Sequence, residues 1–206
     1  MKYLVVGAGF SGAVVARELA EAGHVVSVIE ARDHVAGNAY DYIDDHGIRV
    51  HKYGPHLFHT NNKKVYNYLG QFTKWVPYQH KVKALLGDGR FVTLPVNKQT
   101  RDIVGEENII DIFFRPYTKK MWGMELEELN PDIINRVPIR DDDNEFYFPN
   151  DDYQAMPKDG YTELVENILD HKNIQLSVGV CYDKKMNLSH DHIFNSMPID
   201  QYFGFK

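Results

Sequence analysis

The sequence has a single cysteine, Cys181, and no apolar run that approaches the roughly 20 residues needed to span a bilayer. One cysteine excludes an intrachain disulfide and a cysteine-based zinc site, and it is compatible with a reducing cytosol. Basic residues are outnumbered by acidic ones, with 23 Lys and Arg and 29 Asp and Glu, which gives a net charge of −6. A nucleic-acid-binding domain carries a basic patch. We therefore expect no nucleic-acid partner, no membrane span and a cytoplasmic location.

What is present fits a globular protein. Of the 206 residues, 43% are apolar and 25% charged, so the chain can form one sizeable core or a nucleotide-binding domain interrupted by a smaller one. Aromatic residues reach 13%, with 13 Tyr and 11 Phe. These rings suit a core, and they also suit a pocket that stacks rings and sugars.

A strand, a helix and a second strand are predicted in the first thirty residues. Residues 3–6 and 25–29 are short apolar runs typical of buried parallel strands, and residues 13–22 have a helical pattern that ends at Gly23. This is the size of a βαβ unit. Further patterns predict a helix at 62–72, a hairpin from 81–86 and 90–94, mostly helix at 102–135, strand and loop at 137–153, a helix at 162–171, and strands at 174–180 and 193–196.

This order predicts an α/β fold, in which a Rossmann-like FAD-binding domain carries an inserted substrate domain made of helices and a β-sheet. The predicted boundaries are 1–74 for the first half of the FAD-binding domain, 75–157 for the substrate domain with its helical insertion at about 98–136, and 158–206 for the return to the FAD-binding domain.

The first turn has the pattern G-x-G-x-x-G, from Gly7 through Gly9, Phe10 and Ser11 to Gly12. The first glycine permits the tight turn, the second lets a pyrophosphate approach the backbone, and the third lets the helix pack closely on the strand. The start of the helix then offers unpaired N–H groups to phosphate oxygens. A structural glycine turn without a ligand is the alternative. The position of the glycine pattern between a predicted strand and a predicted helix favours a dinucleotide site over this alternative.

An acidic residue, Glu30, ends the second strand 18 residues after Gly12 and is placed to accept hydrogen bonds from ribose hydroxyls. Its carboxylate disfavours the extra phosphate of NADP. A second glycine turn, at Gly37 beside Asn38, follows directly and favours FAD over NAD. Arg32 is placed to neutralise phosphate charge, and a surface salt bridge is its alternative role.

Other polar residues leave more than one interpretation open. His56 and His59 form an H-x-x-H pair, yet no third ligand is apparent, so we expect no metal. His56 also suits a plain structural role, and Trp122 suits an ordinary core position. Arg140 precedes three aspartates and could merely balance their charge.

Several blocks, in order along the chain, resemble the UDP-galactopyranose mutase family. They are residues 5–13, 37–38, 51–60 (HKYGPHLFHT), 94–97, 117–123 (YTKKMWG), 136–140, 153–162 and 198–203 (PIDQYF). The resemblance implies reduced FAD as the cofactor and UDP-galactose and UDP-galactofuranose as the partners. It implies an isomerase of galactofuranose biosynthesis for cell-surface polysaccharides, which acts through a covalent adduct at the flavin N5 without net redox change.

The resemblance also implies residue roles. His56 and Arg140 are the implied catalytic residues, with His56 and Leu57 against the flavin and Arg140 at the diphosphate or sugar. The remaining implied cofactor residues are Gly7, Gly9, Phe10, Ser11, Gly12, Glu30, Arg32 and Asn38. The implied substrate residues are His80, Phe113, Tyr117, Thr118, Trp122, Arg140 and Tyr147.

Two departures from the family pattern shape our expectations for this chain. Its helical insertion is abbreviated, and it ends at Lys206, where family members continue. We expect the full-length parent to be the enzyme and this chain to have weak activity or none. The alternatives are a FAD-dependent oxidoreductase of the amine-oxidase type and a non-catalytic nucleotide-binding fragment. A homodimer also stays open.

Overall fold

The computed structural model describes residues 1–130 and 139–205. They fall into two compact units, which we describe separately. Unit 1 comprises residues 1–77 and 152–206, and unit 2 comprises residues 78–151.

The helices and strands follow one another along the chain. They are β1 (Lys2–Val6), α1 (Phe10–Glu21), β2 (Val25–Glu30), β3 (Asp41–Ile43), β4 (Arg49–His51), β5 (Phe58–Thr60), α2 (Lys63–Leu69), β6 (Trp75–Pro77), β7 (Val82–Leu85), β8 (Phe91–Leu94), α3 (Lys98–Val104), α4 (Arg115–Trp122), β9 (Tyr153–Pro157), α5 (Gly160–Leu169), β10 (Ile174–Val178), β11 (His192–Asn195) and α6 (Ile199–Tyr202).

Unit 1 is built on a parallel four-stranded sheet in the order β10-β2-β1-β11. Side chains along β1 alternate between its faces, as a strand buried on both sides requires. Val5 joins the core formed with α1 and α5, whereas Leu4 and Val6 join a smaller cluster on the other face with Ile29. The sheet therefore has apolar layers on both faces and brings the carboxyl ends of β1 and β2 to one edge.

Small residues set the distance between α1 and this sheet. The buried residues of α1 are Gly12, Ala13, Ala16 and Ala20, so the helix backbone lies close to the strands. Helix α5 contributes longer side chains to the same core, Leu164, Val165, Ile168 and Leu169.

A buried carboxylate connects β3 to the start of α5. Asp41 Oδ2 accepts from the backbone N–H of Tyr161 at 2.9 Å, and Oδ1 accepts from that of Thr162 at 3.0 Å. The side chain of Asp41 is 0% exposed, and Arg49 Nη1 lies 3.5 Å from it. Asp41 thus satisfies N–H groups at the start of a helix about 120 residues away in sequence.

Antiparallel strands complete unit 1. Strands β3 and β4 pair with each other, and β9 lies between β5 and β6. Stacked rings surround this small sheet, with Phe58 and Trp75 at 4.4 Å and Tyr66 and Tyr153 at 4.5 Å between ring centroids.

Unit 2 contains the β7–β8 hairpin, α3 and α4. Asn97 is fully buried; its side chain accepts from Thr100 N at 2.9 Å and so caps α3. The hydroxyl of Thr100 then donates to Thr93 O at 2.9 Å, which ties α3 to the hairpin.

The structure confirms the predicted βαβ unit, the hairpin and the later helix and strands, with shifts at their ends. Helix α1 begins at Phe10 rather than at residue 13. The region 102–130 is broken by Gly105 into short pieces, and a π-helical turn at Ile110–Phe114 leads into α4. Pro116 lies in the first turn of α4, where no backbone N–H is required. The parts of the predicted 102–135, 137–153 and 136–140 segments at 131–138 lie outside the described residues.

Candidate nucleotide and sugar-nucleotide sites

The turn between β1 and α1 forms a cradle of backbone, as the glycine pattern predicts. Gly7 has φ +99°, a conformation that favours glycine. A Cβ on Gly12 would collide with the carbonyl oxygen of Gly7 and lie 3.0 Å from its carbonyl carbon. Gly9 is the helix N-cap, and the nearest neighbour of a Cβ there among the described residues is Gly37, with its Cα at 3.8 Å. The cradle is therefore shaped by these three glycines and leaves the start of α1 open to an anion.

Glu30 holds this cradle in shape. Its Oε2 accepts from Ala8 N at 2.8 Å, inside the glycine turn, and its Oε1 accepts from Arg32 N at 2.9 Å. The residue is only 8% exposed. Each carboxylate oxygen keeps a further lone pair, so these bonds leave Glu30 able to accept from ribose hydroxyls as well. The sequence did not predict the bond to Ala8.

Two cavities of unit 1 meet at the cradle. One measures about 440 Å³ and the other about 1070 Å³. Both are lined by Gly9, Phe10, Ser11, Gly37 and Asn38. A dinucleotide has a diphosphate in its middle, so a cradle shared by two cavities matches that division.

The smaller cavity is lined by Glu30, Arg32 and Asn38 from the predicted set. Arg32 Nη2 donates to Asn38 Oδ1 at 2.9 Å, and Arg32 Nη1 is buried without a hydrogen-bond partner among the described residues. A buried, unpaired cationic donor is costly unless a ligand accepts from it. This orphaned donor, together with the open cradle, fits the phosphate and ribose oxygens of a bound dinucleotide.

Residues from the C-terminal part of the chain also line the smaller cavity, and sequence reasoning missed them. Ser196 follows β11 and donates from its hydroxyl to Val6 O at 2.8 Å, beside Gly7. Val180 and Cys181 follow β10. The parallel order of the sheet was the available signal, because residues after neighbouring parallel strands meet at one edge.

The larger cavity is mostly apolar and is lined by His56 and Leu57, together with Phe58 and Tyr161. His56 Nδ1 lies 2.9 Å from Gly54 O, and because a carbonyl only accepts, this nitrogen carries the proton. The His56 ring meets Tyr161 edge-on at 6.4 Å. Burial raises the pKa of the Tyr161 hydroxyl, so this ring stays neutral. The structure thus places both predicted flavin-side residues in one cavity.

The neighbouring histidines do not form a metal site with His56. Over residues 1–130 and 139–205, no group of three or more His, Cys, Asp or Glu side chains has the arrangement of a metal site. His51 Nδ1 instead accepts from His56 N at 3.3 Å, and its pKa is lowered, chiefly by burial.

The predicted substrate residues lie in unit 2, where two of them are in contact. The backbone N–H of Tyr147 donates to His80 O at 2.7 Å, and the two rings lie 5.8 Å apart. The hydroxyl of Tyr78, which sequence reasoning missed, lies 3.0 Å from His80 Nδ1. Burial lowers the pKa of His80, which favours a neutral imidazole.

Arg140 is partly occupied by its own loop. Its Nη1 donates to Phe146 O at 2.9 Å and its Nη2 to Asn144 O at 2.6 Å. Its Nε is buried and has no partner among the described residues. The guanidinium therefore braces the loop that precedes Tyr147, and Nε is its one nitrogen without a hydrogen-bond partner among the described residues. The following Asp141 pairs with Arg101 rather than with Arg140.

The remaining predicted substrate residues lie on the helical part of unit 2. Tyr117 is 61% and Trp122 is 53% exposed, whereas Thr118 is buried. Phe113 lines a cavity of about 390 Å³ with the hairpin and α3. Among the described residues of unit 2, these four thus differ in their surroundings, from exposed rings to a buried hydroxyl.

Comparison with known proteins identifies two matching families. A family model described as UDP-galactopyranose mutase matches residues 112–206, and one described as NAD(P)-binding Rossmann-like domain matches residues 5–72. A probable UDP-galactopyranose mutase from Klebsiella pneumoniae is 36% identical over 98% of this chain. A dTDP-fucopyranose mutase from Escherichia coli is 35% identical over the whole chain, and a UDP-galactopyranose mutase from Mycoplasma pneumoniae is 30% identical over 98% of it. The chain spans 62%, 65% and 63% of these relatives, respectively.

Solved structures support the fold. A crystal structure of reduced UDP-galactopyranose mutase matches 99% of this chain and 57% of its own with a TM-score of 0.76, at 18% identity. An oxidoreductase from Methanosarcina mazei matches 87% of this chain and 51% of its own with a TM-score of 0.54, at 15% identity. Separately, among the residues that the structure describes, no helix is both long enough and apolar enough to cross a bilayer.

Proposed function

We propose that this chain belongs to the UDP-galactopyranose mutase family and is part of a flavin-dependent enzyme that interconverts UDP-galactopyranose and UDP-galactofuranose. The observation that carries the proposal is the glycine cradle of unit 1, at which two cavities meet. The sequence relationship extends over essentially the whole chain, through unit 2 as well as unit 1.

In this proposal unit 1 binds FAD. The start of α1 donates backbone N–H groups to the diphosphate, Glu30 accepts from the ribose, and Arg32 supplies positive charge through its unpaired Nη1. His56 and Leu57 lie in the cavity on the other side of the cradle, where a ring system has room. A flavin held there by these residues would, in its reduced form, supply nucleophilic chemistry toward the sugar.

The residues of this chain have distinct tasks on the flavin side. Protonation of His56 at Nδ1 leaves Nε2 as a hydrogen-bond acceptor in the neutral ring. Tyr161 closes part of the same cavity with a ring that does not ionise near neutral pH. The apolar walls exclude water and strengthen any charge interaction within the cavity.

Unit 2 supplies the sugar-nucleotide residues in this proposal. The exposed rings of Tyr117 and Trp122 offer faces for stacking, and Tyr147 and His80 offer polar groups. Arg140 holds the loop before Tyr147 through two carbonyl oxygens, and its unassigned Nε–H is the donor left for a diphosphate or sugar oxygen. The enzyme works in the cytoplasm, where sugar nucleotides are available.

A second substrate deserves a direct test, because the dTDP-fucopyranose mutase is almost as similar to this chain as the first relative is. By their names, both relatives are mutases that act on a nucleotide-linked pyranose sugar. They differ in the base of the nucleotide and in the sugar.

The test begins with binding. The purified protein, reconstituted with FAD, is expected to retain a flavin absorption band after gel filtration, and the Gly12→Ala variant is expected to lose it. A protein that stays colourless yet binds UDP by calorimetry would indicate a nucleotide-binding role without flavin chemistry.

Turnover is then measured on the dithionite-reduced full-length parent, which we expect to be the active enzyme, with UDP-galactofuranose or dTDP-fucofuranose. A mutase forms the corresponding pyranose without consuming an electron acceptor, and the faster of the two reactions identifies the substrate. Formation of an oxidised product with stoichiometric consumption of an acceptor would instead establish an amine-oxidase-like oxidoreductase and refute the mutase proposal.

A further inference from the structure

The guanidinium of Arg32 is held in one position beside the smaller cavity. Its Cζ lies 4.5 Å from the centroid of the Tyr53 ring, and its Nη2 donates to Asn38 Oδ1 at 2.9 Å. Its Nη1 is buried and has no partner among the described residues. The face of the guanidinium on Tyr53 and its Nη2 are thus fixed by protein contacts, whereas the N–H groups of Nη1 are left for a ligand oxygen.

Tyr53 is fixed in turn by a buried histidine. The Tyr53 hydroxyl lies 2.8 Å from His34 Nε2, and His34 Nδ1 lies 2.8 Å from Val35 O. Because the carbonyl only accepts, Nδ1 carries the proton and Nε2 of the neutral ring is an acceptor. The Tyr53 hydroxyl therefore donates to His34, which sets the direction of the tyrosine ring.

His34 itself cannot move freely. It is 9% exposed and stacks on the ring of Tyr40, with 3.8 Å between centroids and an interplanar angle of 19°. Tyr40 thus packs on His34, His34 accepts from Tyr53, and the Tyr53 ring packs on the guanidinium of Arg32. None of the three supporting residues lines either of the two cavities at the cradle.

We propose that His34 and Tyr53 are positioning residues of the nucleotide site, which hold the Arg32 guanidinium so that its unpaired nitrogen meets an oxygen of the bound nucleotide. The inference rests on the proposed function, in which unit 1 binds a dinucleotide. A planar cation stacked on an aromatic face loses little further freedom when it binds an anion. Without the ring, Arg32 would be ordered only when the ligand arrives.

Simple packing is the competing explanation for these contacts. Tyr53 is 41% exposed, so its ring contributes less to a core than a buried ring does. A packing role predicts that removing the ring lowers stability and weakens binding whatever residue is at position 32. A positioning role predicts that the effect of removing the ring disappears once Arg32 is gone.

A double-mutant cycle in ADP affinity separates the two explanations. Calorimetry with ADP is run on the wild-type chain, Arg32→Met, Tyr53→Leu and the double variant, with urea unfolding to check that each is folded. We expect Arg32→Met to weaken ADP binding by about 10-fold, as for one lost charge-assisted contact. Tyr53→Leu should weaken it by about 5-fold, in the range of a partly desolvated cation–π contact.

In the double variant we expect the affinity of Arg32→Met alone, because Tyr53 acts through Arg32. Tyr42→Leu is the matched control, since Tyr42 is 42% exposed, close to the 41% of Tyr53, and among the described residues its ring stacks on Tyr40, at 6.1 Å, and on no arginine. Its ADP affinity should equal that of the wild type. Tyr53→Phe keeps the ring and removes the bond to His34, so it should weaken binding by about 2-fold, less than Tyr53→Leu does.

The outcomes distinguish this inference from the function on which it rests. Multiplicative losses in the double variant would overturn the positioning role while leaving nucleotide binding intact. Wild-type affinity in Tyr53→Phe would overturn the part assigned to His34. A wild-type chain that binds neither ADP nor FAD would refute the nucleotide site and the inference together.

Discussion

Substitutions at Gly9 and Gly12 of the cradle should distinguish effects on folding from effects on ligand binding. A methyl group added at Gly9 has 3.8 Å to its nearest neighbour, Gly37 Cα, which is ordinary van der Waals contact. Gly9→Ala should therefore change the free energy of unfolding by about 1 kcal/mol or less, the difference between these residues at a helix N-cap. The same methyl group lies where the two cavities meet, however, in the space that a diphosphate needs.

Loss of one charge-assisted hydrogen bond to a phosphate costs about 1.5–3 kcal/mol, so Gly9→Ala should weaken ADP binding about 10- to 100-fold. Gly12→Ala should behave differently, because its Cβ would collide with the Gly7 carbonyl and force the turn apart. We expect it to lose about 1–3 kcal/mol of stability as well as binding. Urea unfolding and ADP calorimetry measure the two effects. A Gly9→Ala protein with wild-type ADP affinity would refute the assignment of the cradle to phosphate.

Three further results are expected. Asp41→Asn should cost about 2–4 kcal/mol in urea unfolding, because an amide nitrogen would face a buried N–H. Asp44→Asn should cost under about 1 kcal/mol, because both local N–H groups donate to Oδ1 of this half-buried side chain and an asparagine keeps that oxygen; equal losses would contradict this. Burial lowers the pKa of His80, so the neutral imidazole stabilises the fold fully above about pH 6.5, and this stabilisation is lost as the pH falls. The free energy of unfolding should therefore decrease less between about pH 7.5 and 5.5 in His80→Gln than in the wild type. An equal decrease in both proteins would contradict a lowered pKa for His80. Saturating ADP should slow the reaction of exposed Cys181 with a disulfide reagent, because Cys181 lines the smaller cavity. An unchanged rate would contradict nucleotide binding in that cavity.

The sequence was most informative where local patterns determine the structure. Residues 3–6 and 25–29 are apolar and flank a glycine turn, and both form central strands of the parallel sheet. The hairpin at 81–86 and 90–94 was predictable for the same reason, because turn chemistry acts over a few residues. The positions of Glu30 and Asn38 beside the cradle followed from this local pattern as well.

Long-range contacts were beyond such patterns. The Asp41 carboxylate caps a helix far along the chain, and Ser196 reaches the glycine turn only because β11 pairs with β1. The role of Arg140 in its own loop could not be read from its position before three aspartates. Each of these depends on which segments become neighbours, and periodicity does not encode this.

Glu30 illustrates how the fold and the proposed binding site share one residue. A carboxylate at the end of β2 was predicted for its bonds to ribose, yet it also accepts from Ala8 and Arg32 without any ligand. The turn that receives the diphosphate and the segment that carries Arg32 are therefore both held before a nucleotide binds. Such preorganisation lowers the entropy that binding must offset. A glutamine at position 30 would keep one acceptor and turn the other into a donor facing an N–H, so that cradle geometry and ribose recognition would fail together.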